Sequence, residues 1–145
     1  MGLVACKKES EPVPQATVFE IKYSSSGMKG VNASFGFNEK SYADATINTA
    51  ILTGTLGSNA DGQLTTSVSY RKQNKVYAYV VFSDIENPNA TPPSANGFLA
   101  ASLYINGKPC GVVRLSYNDY YSMQHRYTDS SGKTNLIVES IITIP

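Results

Sequence analysis

Hydrophobic and polar residues alternate along much of the chain, which is the pattern of strands that bury one face. In TVFEIKY, Phe19, Ile21 and Tyr23 fall on one face, whereas Glu20 and Lys22 fall on the other. The same alternation recurs in VNASFGF (31–37), LTTSVSYR (64–71) and KVYAYVVF (75–82). We interpret each of these segments as an amphipathic β-strand.

Three further segments are strand-like but less regular. TINTAILTGTL (46–56) is mixed, as though bent near Gly54, and DYYSMQHRY (119–127) and LIVESIITI (136–144) supply the last strands. Turn-rich connections separate the strands, the one long loop is 84–97, and no helix of useful length is convincing. The pattern predicts an all-β fold, an antiparallel immunoglobulin-like β-sandwich of about seven or eight strands. A small closed β-barrel is the alternative.

The strongest local signal is the segment LAASLYINGKPCGVVRLSY (99–117). Asn106-Gly107 lies between two apolar runs, and both residues tolerate the positive φ of a two-residue type I′ hairpin turn. Pairing outward from this turn sets Leu103 opposite Cys110 and places Cys110 in the core. The alternation then shifts by one residue, which predicts a β-bulge at Gly111.

The N-terminus carries a different kind of signal. Leu3-Val4-Ala5-Cys6 resembles a bacterial lipobox, in which the chain is cut before a cysteine whose sulfur receives a diacylglycerol. A signal peptide also needs a basic region and a longer apolar region upstream, so we expect this signal to be truncated. We therefore predict a signal remnant and flexible tether over 1–16, with the sandwich over 17–145. Residues 7–16 would span roughly 30 Å when extended.

The charge and the cysteine content limit the classes of function that the sequence allows. The net charge is +1 and charged residues make up 16% of the chain, so no basic face for nucleic acid is indicated. The two cysteines, Cys6 and Cys110, allow a disulfide in an oxidising compartment. Lipidation of Cys6 would instead leave Cys110 as a small core residue.

Catalytic and metal-binding patterns are weak. His125 is the single histidine, and no paired spacing of metal ligands occurs, so we expect no metal and no cofactor. Asp84 and Glu86 in the long loop could bind calcium together with nearby asparagine side chains, although a solvated polar loop is the favoured interpretation. Cys110 and His125 are the only Cys–His candidates for nucleophilic catalysis, and neither lies in a protease signature. We expect no catalytic residues and no enzyme activity, with a hydrolase as the remaining alternative.

Strands favour tyrosine, which is the simpler explanation of the ten tyrosines, and an aromatic binding surface is the alternative. Tyr77, Tyr79 and Tyr104 fall on the outward faces of their predicted strands. Exposed aromatic rings stack on sugars or anchor a protein partner. If the three rings lie coplanar on one sheet face, they predict a carbohydrate-binding module.

The segment KVYAYVVFSD…FLAASLYINGKPCGVV…YYSMQHRY resembles a family of small envelope proteins. These include the mycobacterial small membrane proteins that accompany lipid exporters and small lipoproteins of the Bacteroidota. The likeness covers residues 64–128 and is strongest at Leu103-Tyr104-Ile105-Asn106-Gly107-Lys108. It implies a membrane anchor, a sandwich and a non-catalytic binding or accessory role in transport or assembly. We therefore expect an outer-membrane lipoprotein of the bacterial envelope, facing the periplasm or the surface, with an envelope protein or a glycan as partner.

Overall fold

The computed structural model describes residues 10, 13–28, 31–44, 49–56, 61–70, 74–83, 94, 96–121 and 126–145. Nine strands lie in these ranges: β1 (Gln15–Ser26), β2 (Asn32–Asn38), β3 (Ala50–Thr55), β4 (Asp61–Tyr70), β5 (Lys75–Ser83), β6 (Phe98–Ile105), β7 (Lys108–Ser116), β8 (Arg126–Thr128) and β9 (Thr134–Thr143). Short 3-10 turns cover Tyr42–Asp44 and Tyr117–Tyr121. Within the described ranges, no helix is both long and apolar enough to cross a membrane.

The strands form two antiparallel sheets. Sheet A has the order β4-β1-β6-β7, and sheet B has the order β3-β2-β5-β9-β8. The sheets are not closed into a barrel, so the predicted β-sandwich is confirmed and the barrel alternative is wrong. The alternation seen in the sequence is the reason for the fold, because each strand presents an apolar face to the opposite sheet.

The core lies between the two sheets. Phe19 of sheet A packs against Phe37 of sheet B with ring centroids 5.2 Å apart, and Tyr23 packs against Phe35 at 4.6 Å. The largest fully buried side chains come from both layers: Phe19, Phe35, Phe37, Phe82, Ile21, Leu99, Leu103, Ile105, Leu115, Leu136, Ile144 and Val76.

The predicted hairpin at Asn106-Gly107 is confirmed, with φ of 52° and 75° at the two residues. Its register differs from the prediction, because Leu103 lies opposite Gly111 rather than Cys110. The bulge therefore falls one residue earlier, and Cys110 is the unpaired residue. As a result Cys110 is half-buried at the edge of the core rather than fully enclosed.

Two further sequence predictions need correction. The irregularity in β3 is a register shift near Ile51, whereas Gly54 lies in regular pairing with Phe35. A Cβ at Gly54 would lie 2.2 Å from Leu64 Cδ1, so close packing explains this glycine. The strand predicted from residue 119 is also wrong at its start, since Asp119 accepts a hydrogen bond from the Ser116 backbone N–H at 2.7 Å and stabilises a 3-10 turn.

Strand β1 begins at Gln15, two residues before the predicted domain boundary. Most of the predicted tether lies outside the described residues, so the division at residue 16 stays a prediction.

Candidate functional site

A cavity of about 740 Å³ lies over the outer face of sheet B. Its floor comes from side chains that point away from the core on three adjacent strands, and its sides come from the two opposite edges of the sheet. The described lining residues are Asn32, Asn38, Tyr42, Ala43, Thr49, Ala50, Tyr79, Ser83, Tyr127, Asp129, Ser130, Lys133 and Asn135.

Tyr79 forms the centre of the floor. It lies on the outward face of β5, opposite Gly36 of β2 and Glu139 of β9. A Cβ at Gly36 would lie 3.1 Å from the Tyr79 hydroxyl and 2.1 Å from the Leu52 carbonyl oxygen, so glycine leaves the room that this close approach needs. Burial raises the pKa of the Tyr79 hydroxyl, which lies 3.4 Å from Thr53 Oγ1 and stays protonated.

Residues 41–44, which we call the covering segment, lie across one side of this floor. Glu139 holds the segment in place: one carboxylate oxygen accepts the Tyr42 backbone N–H at 2.6 Å, and the other accepts the Ser41 hydroxyl at 2.9 Å. The Tyr42 ring packs on the Tyr79 ring with centroids 4.9 Å apart. Hydrogen bonds to a charged acceptor are stronger than neutral ones, so this carboxylate sets the position of the segment.

The turn between β8 and β9, residues 129–133, forms the other side. Asp129 Oδ1 accepts hydrogen bonds from the Ser131 hydroxyl at 2.6 Å, the Ser131 backbone N–H at 2.9 Å and the Lys133 backbone N–H at 3.0 Å. Its Oδ2 accepts from Asn135 Nδ2 at 3.3 Å. These bonds, with that of the Ser131 hydroxyl the largest, lower the pKa of Asp129 to about 2. All of these donors lie within residues 131–135, so the carboxylate stabilises its own turn.

The lining is chemically uniform. It offers the exposed amide of Asn32, the hydroxyl groups of Ser83 and Ser130, and the half-buried rings of Tyr42 and Tyr127, whereas its other polar and aromatic lining residues Asn38, Thr49, Tyr79 and Asn135 are buried. Amide side chains both donate and accept hydrogen bonds, as a ligand rich in hydroxyl groups requires. Asp129 and Lys133, the charged residues among the described lining, have opposite signs and belong to the same turn. The site is therefore polar without a net charge.

The three predicted tyrosines are not brought together. Tyr77 and Tyr79 lie on β5 in sheet B, whereas Tyr104 lies on β6 in sheet A. Tyr79 faces outward as predicted but is only 3% exposed, because Tyr42 covers it. Tyr104 is half-buried on the outer face of sheet A, with Lys22 Nζ 4.8 Å from its ring centroid. A coplanar aromatic surface made of these three rings does not exist.

The structure says less about the other residues that the sequence singled out. Cys6, His125, Asp84 and Glu86 lie outside the described residues. Cys110 has a free thiol, and burial raises its pKa to about 11. In the described part of the chain, no three His, Cys, Asp or Glu side chains form a group that could hold a metal ion.

The site could not be predicted from the sequence, because its residues are dispersed along the chain. Asn32, Ser83 and Asn135 are far apart in the chain and become neighbours only through the pairing of β2, β5 and β9. The local signal that existed was the turn sequence TDSSGKTN (128–135), in which an aspartate precedes serine and glycine.

Comparison of the chain with protein-family models, curated proteins and solved structures found no match.

Proposed function

We propose that this protein is a lipid-anchored envelope lipoprotein that acts as a non-catalytic binding module for a neutral saccharide. The observation that carries the proposal is the cavity over sheet B, whose lining combines amides, hydroxyl groups and tyrosine rings. The anchor at Cys6 rests on the lipobox-like sequence and holds the module at a membrane.

The chemistry of the lining favours a saccharide over other small ligands. Sugar hydroxyl groups need partners that donate and accept, and the exposed Asn32 supplies both through its side-chain amide. The C–H faces of a sugar ring pack on aromatic rings, and the half-buried Tyr127 offers one at the side of the cavity. The volume lies within the range of about 300–1,000 Å³ typical of small-ligand sites.

The acid–base properties of the lining favour binding over catalysis. Asp129 is the one carboxylate among the described lining residues, and its pKa of about 2 makes it a poor proton donor or acceptor near neutral pH. Its oxygens are also engaged by the turn that it stabilises. Tyr79 is protonated and lies beneath Tyr42.

Saccharide binding is tested by screening the protein against an array of neutral oligosaccharides and measuring the Kd of the best binder by calorimetry. We expect Tyr127→Ala and Asn32→Ala each to raise this Kd by about fivefold, because each removes a contact worth about 1 kcal/mol. Tyr104→Ala is the matched control on the opposite layer and leaves the Kd unchanged. The absence of any bound oligosaccharide, or an equal effect of Tyr104→Ala, would contradict the proposal.

The anchor is tested separately by mass spectrometry. The gene is expressed in a bacterium together with its upstream DNA, and the mature N-terminus is analysed. We expect cleavage before Cys6 and a diacylglycerol on its sulfur, and we expect Cys6→Ser to abolish both. An unmodified N-terminus in the unsubstituted protein would refute the anchor. It would not bear on the saccharide site, which the binding experiment tests independently.

A further inference from the structure

Among the strands that the structure describes, β3, β4, β7 and β8 lie at sheet edges, and they are not equally protected against pairing with another chain. An exposed edge is a template for a further strand, and proteins block it with proline, lysine or arginine, bulges or very short strands. β7 carries Pro109, the bulge at Cys110 and Arg114. β3 has six residues with a register shift, and β8 has three residues.

β4 has none of these devices. It is ten residues long and pairs with β1 without a register shift. Between Asp61 and Tyr70 its sequence contains no charged residue and no proline. Among the described residues, β4 has a hydrogen-bonded neighbour on one side only. Its apolar side chains are also incompletely covered, since Val68 is 39% exposed and Leu64 is half-buried.

We propose that β4 is a self-association edge, which pairs antiparallel with β4 of a second copy of this chain about a twofold axis through Thr66. The two four-stranded sheets then form one continuous sheet. The proposal rests on the sequence and pairing of β4 and is independent of the saccharide site.

The alternation of β4 restricts the register of this pairing. Its even-numbered residues face the core, because Leu64 pairs with Ile21 and Thr66 pairs with Phe19 in β1. Directly opposed residues in an antiparallel sheet lie on the same face, so a core-facing residue of one copy must oppose a core-facing residue of the other. A twofold axis therefore passes through a residue and not between two residues.

An axis at Thr66 gives the most favourable side-chain pairs. On the core side, Leu64 of each copy lies opposite Val68 of the other. On the outer side, Thr65 lies opposite Ser67, and Gln63 lies opposite Ser69. An axis at Thr65 would instead place Leu64 opposite Thr66, and only the Thr66 register places both apolar residues, Leu64 and Val68, opposite each other.

The joined strands belong to sheet A, so the dimer pairs none of the described residues that line the cavity over sheet B. Dimerisation and saccharide binding are therefore separable. Two binding sites on one particle would increase avidity for a repeating glycan.

Sedimentation velocity of the full chain over a range of concentrations tests the proposal. We expect a reversible monomer–dimer equilibrium. Thr65→Lys combined with Ser67→Lys places like charges opposite each other at two sites and raises the dimer Kd by about tenfold or more. Thr65→Lys combined with Ser67→Asp places opposite charges at the same two sites and restores the dimer.

Val112→Lys is the matched control, since Val112 is exposed on β7 at the other edge of the same sheet. It leaves the dimer Kd unchanged. A chain that stays monomeric at every concentration would overturn the proposal and leave β4 open to a strand of another protein. A dimer that dissociates with Val112→Lys, or that both double variants weaken equally, would overturn the assigned edge and register.

Discussion

At the scale of single residues, two carboxylates shape the cavity from opposite sides without being free to react. Glu139 holds the covering segment, and Asp129 holds the turn between β8 and β9. Each accepts several hydrogen bonds from groups whose positions it fixes. The polar character of the site therefore comes from neutral side chains, and the acidic residues serve to position them.

The turn at Asp129 has a defined dependence on pH. Its pKa in the folded chain is about 2, below the value of about 3.9 expected when the chain is unfolded. The carboxylate therefore stabilises the turn fully above about pH 4, and this stabilisation is lost as the pH falls through about 2.

An NMR titration of the Asp129 side-chain carbonyl carbon tests this prediction, with the urea-denatured chain as reference. We expect a midpoint near 2 in the folded chain and near 4 in urea. Ser131→Ala raises the folded midpoint by removing the hydroxyl donor, whereas Ser130→Ala, in the same turn, does not. A folded midpoint that matches the denatured one would contradict the proposed role of the hydrogen bonds.

At the scale of elements, the sequence predicts structure that depends on neighbouring residues. It does not predict structure that depends on contacts between residues far apart in the chain. The hairpin at Asn106-Gly107 was predictable because both turn residues tolerate positive φ, and the Asn106 side chain adds a bond from the Val18 N–H at 2.8 Å. The burial of Tyr79 was not predictable, because its cover comes from Tyr42 in the connection that follows β2. The position of Cys110 was missed since a one-residue slip of a bulge changes which side chain faces inward.

The covering segment depends on Glu139 as a positioning residue. Glu139→Ala removes the acceptors for the Tyr42 N–H and the Ser41 hydroxyl. We expect the exchange protection of the Tyr42 amide to fall by about 10- to 100-fold, because bonds to a charged acceptor contribute about 1.5–3 kcal/mol. The saccharide Kd rises in the same variant, while protection in β1 and β6 is retained.

Ser140→Ala is the matched control, since Ser140 is the exposed neighbour of Glu139 in β9. It leaves the protection of Tyr42 unchanged. Unaltered protection of Tyr42 in Glu139→Ala would mean that ring packing on Tyr79 alone holds the segment.

At the scale of the whole molecule, the two proposed interaction sites lie on different layers of the sandwich. Sheet B carries the cavity, sheet A carries the unprotected edge, and the core between them holds both in place. The fold class was predictable because alternation specifies strands that bury one face. The site was not, because it depends on which strands become neighbours in sheet B.

Saccharide binding over sheet B is tested by locating the bound sugar by NMR, using isotope-labelled protein titrated with the tightest oligosaccharide from the array. We expect the largest amide shift changes around the cavity, at Asn32, Ser83 and Asn135 and in the turn between β8 and β9. Shift changes confined to the outer face of sheet A around Tyr104, or no shift changes at saturating oligosaccharide, would contradict this expectation.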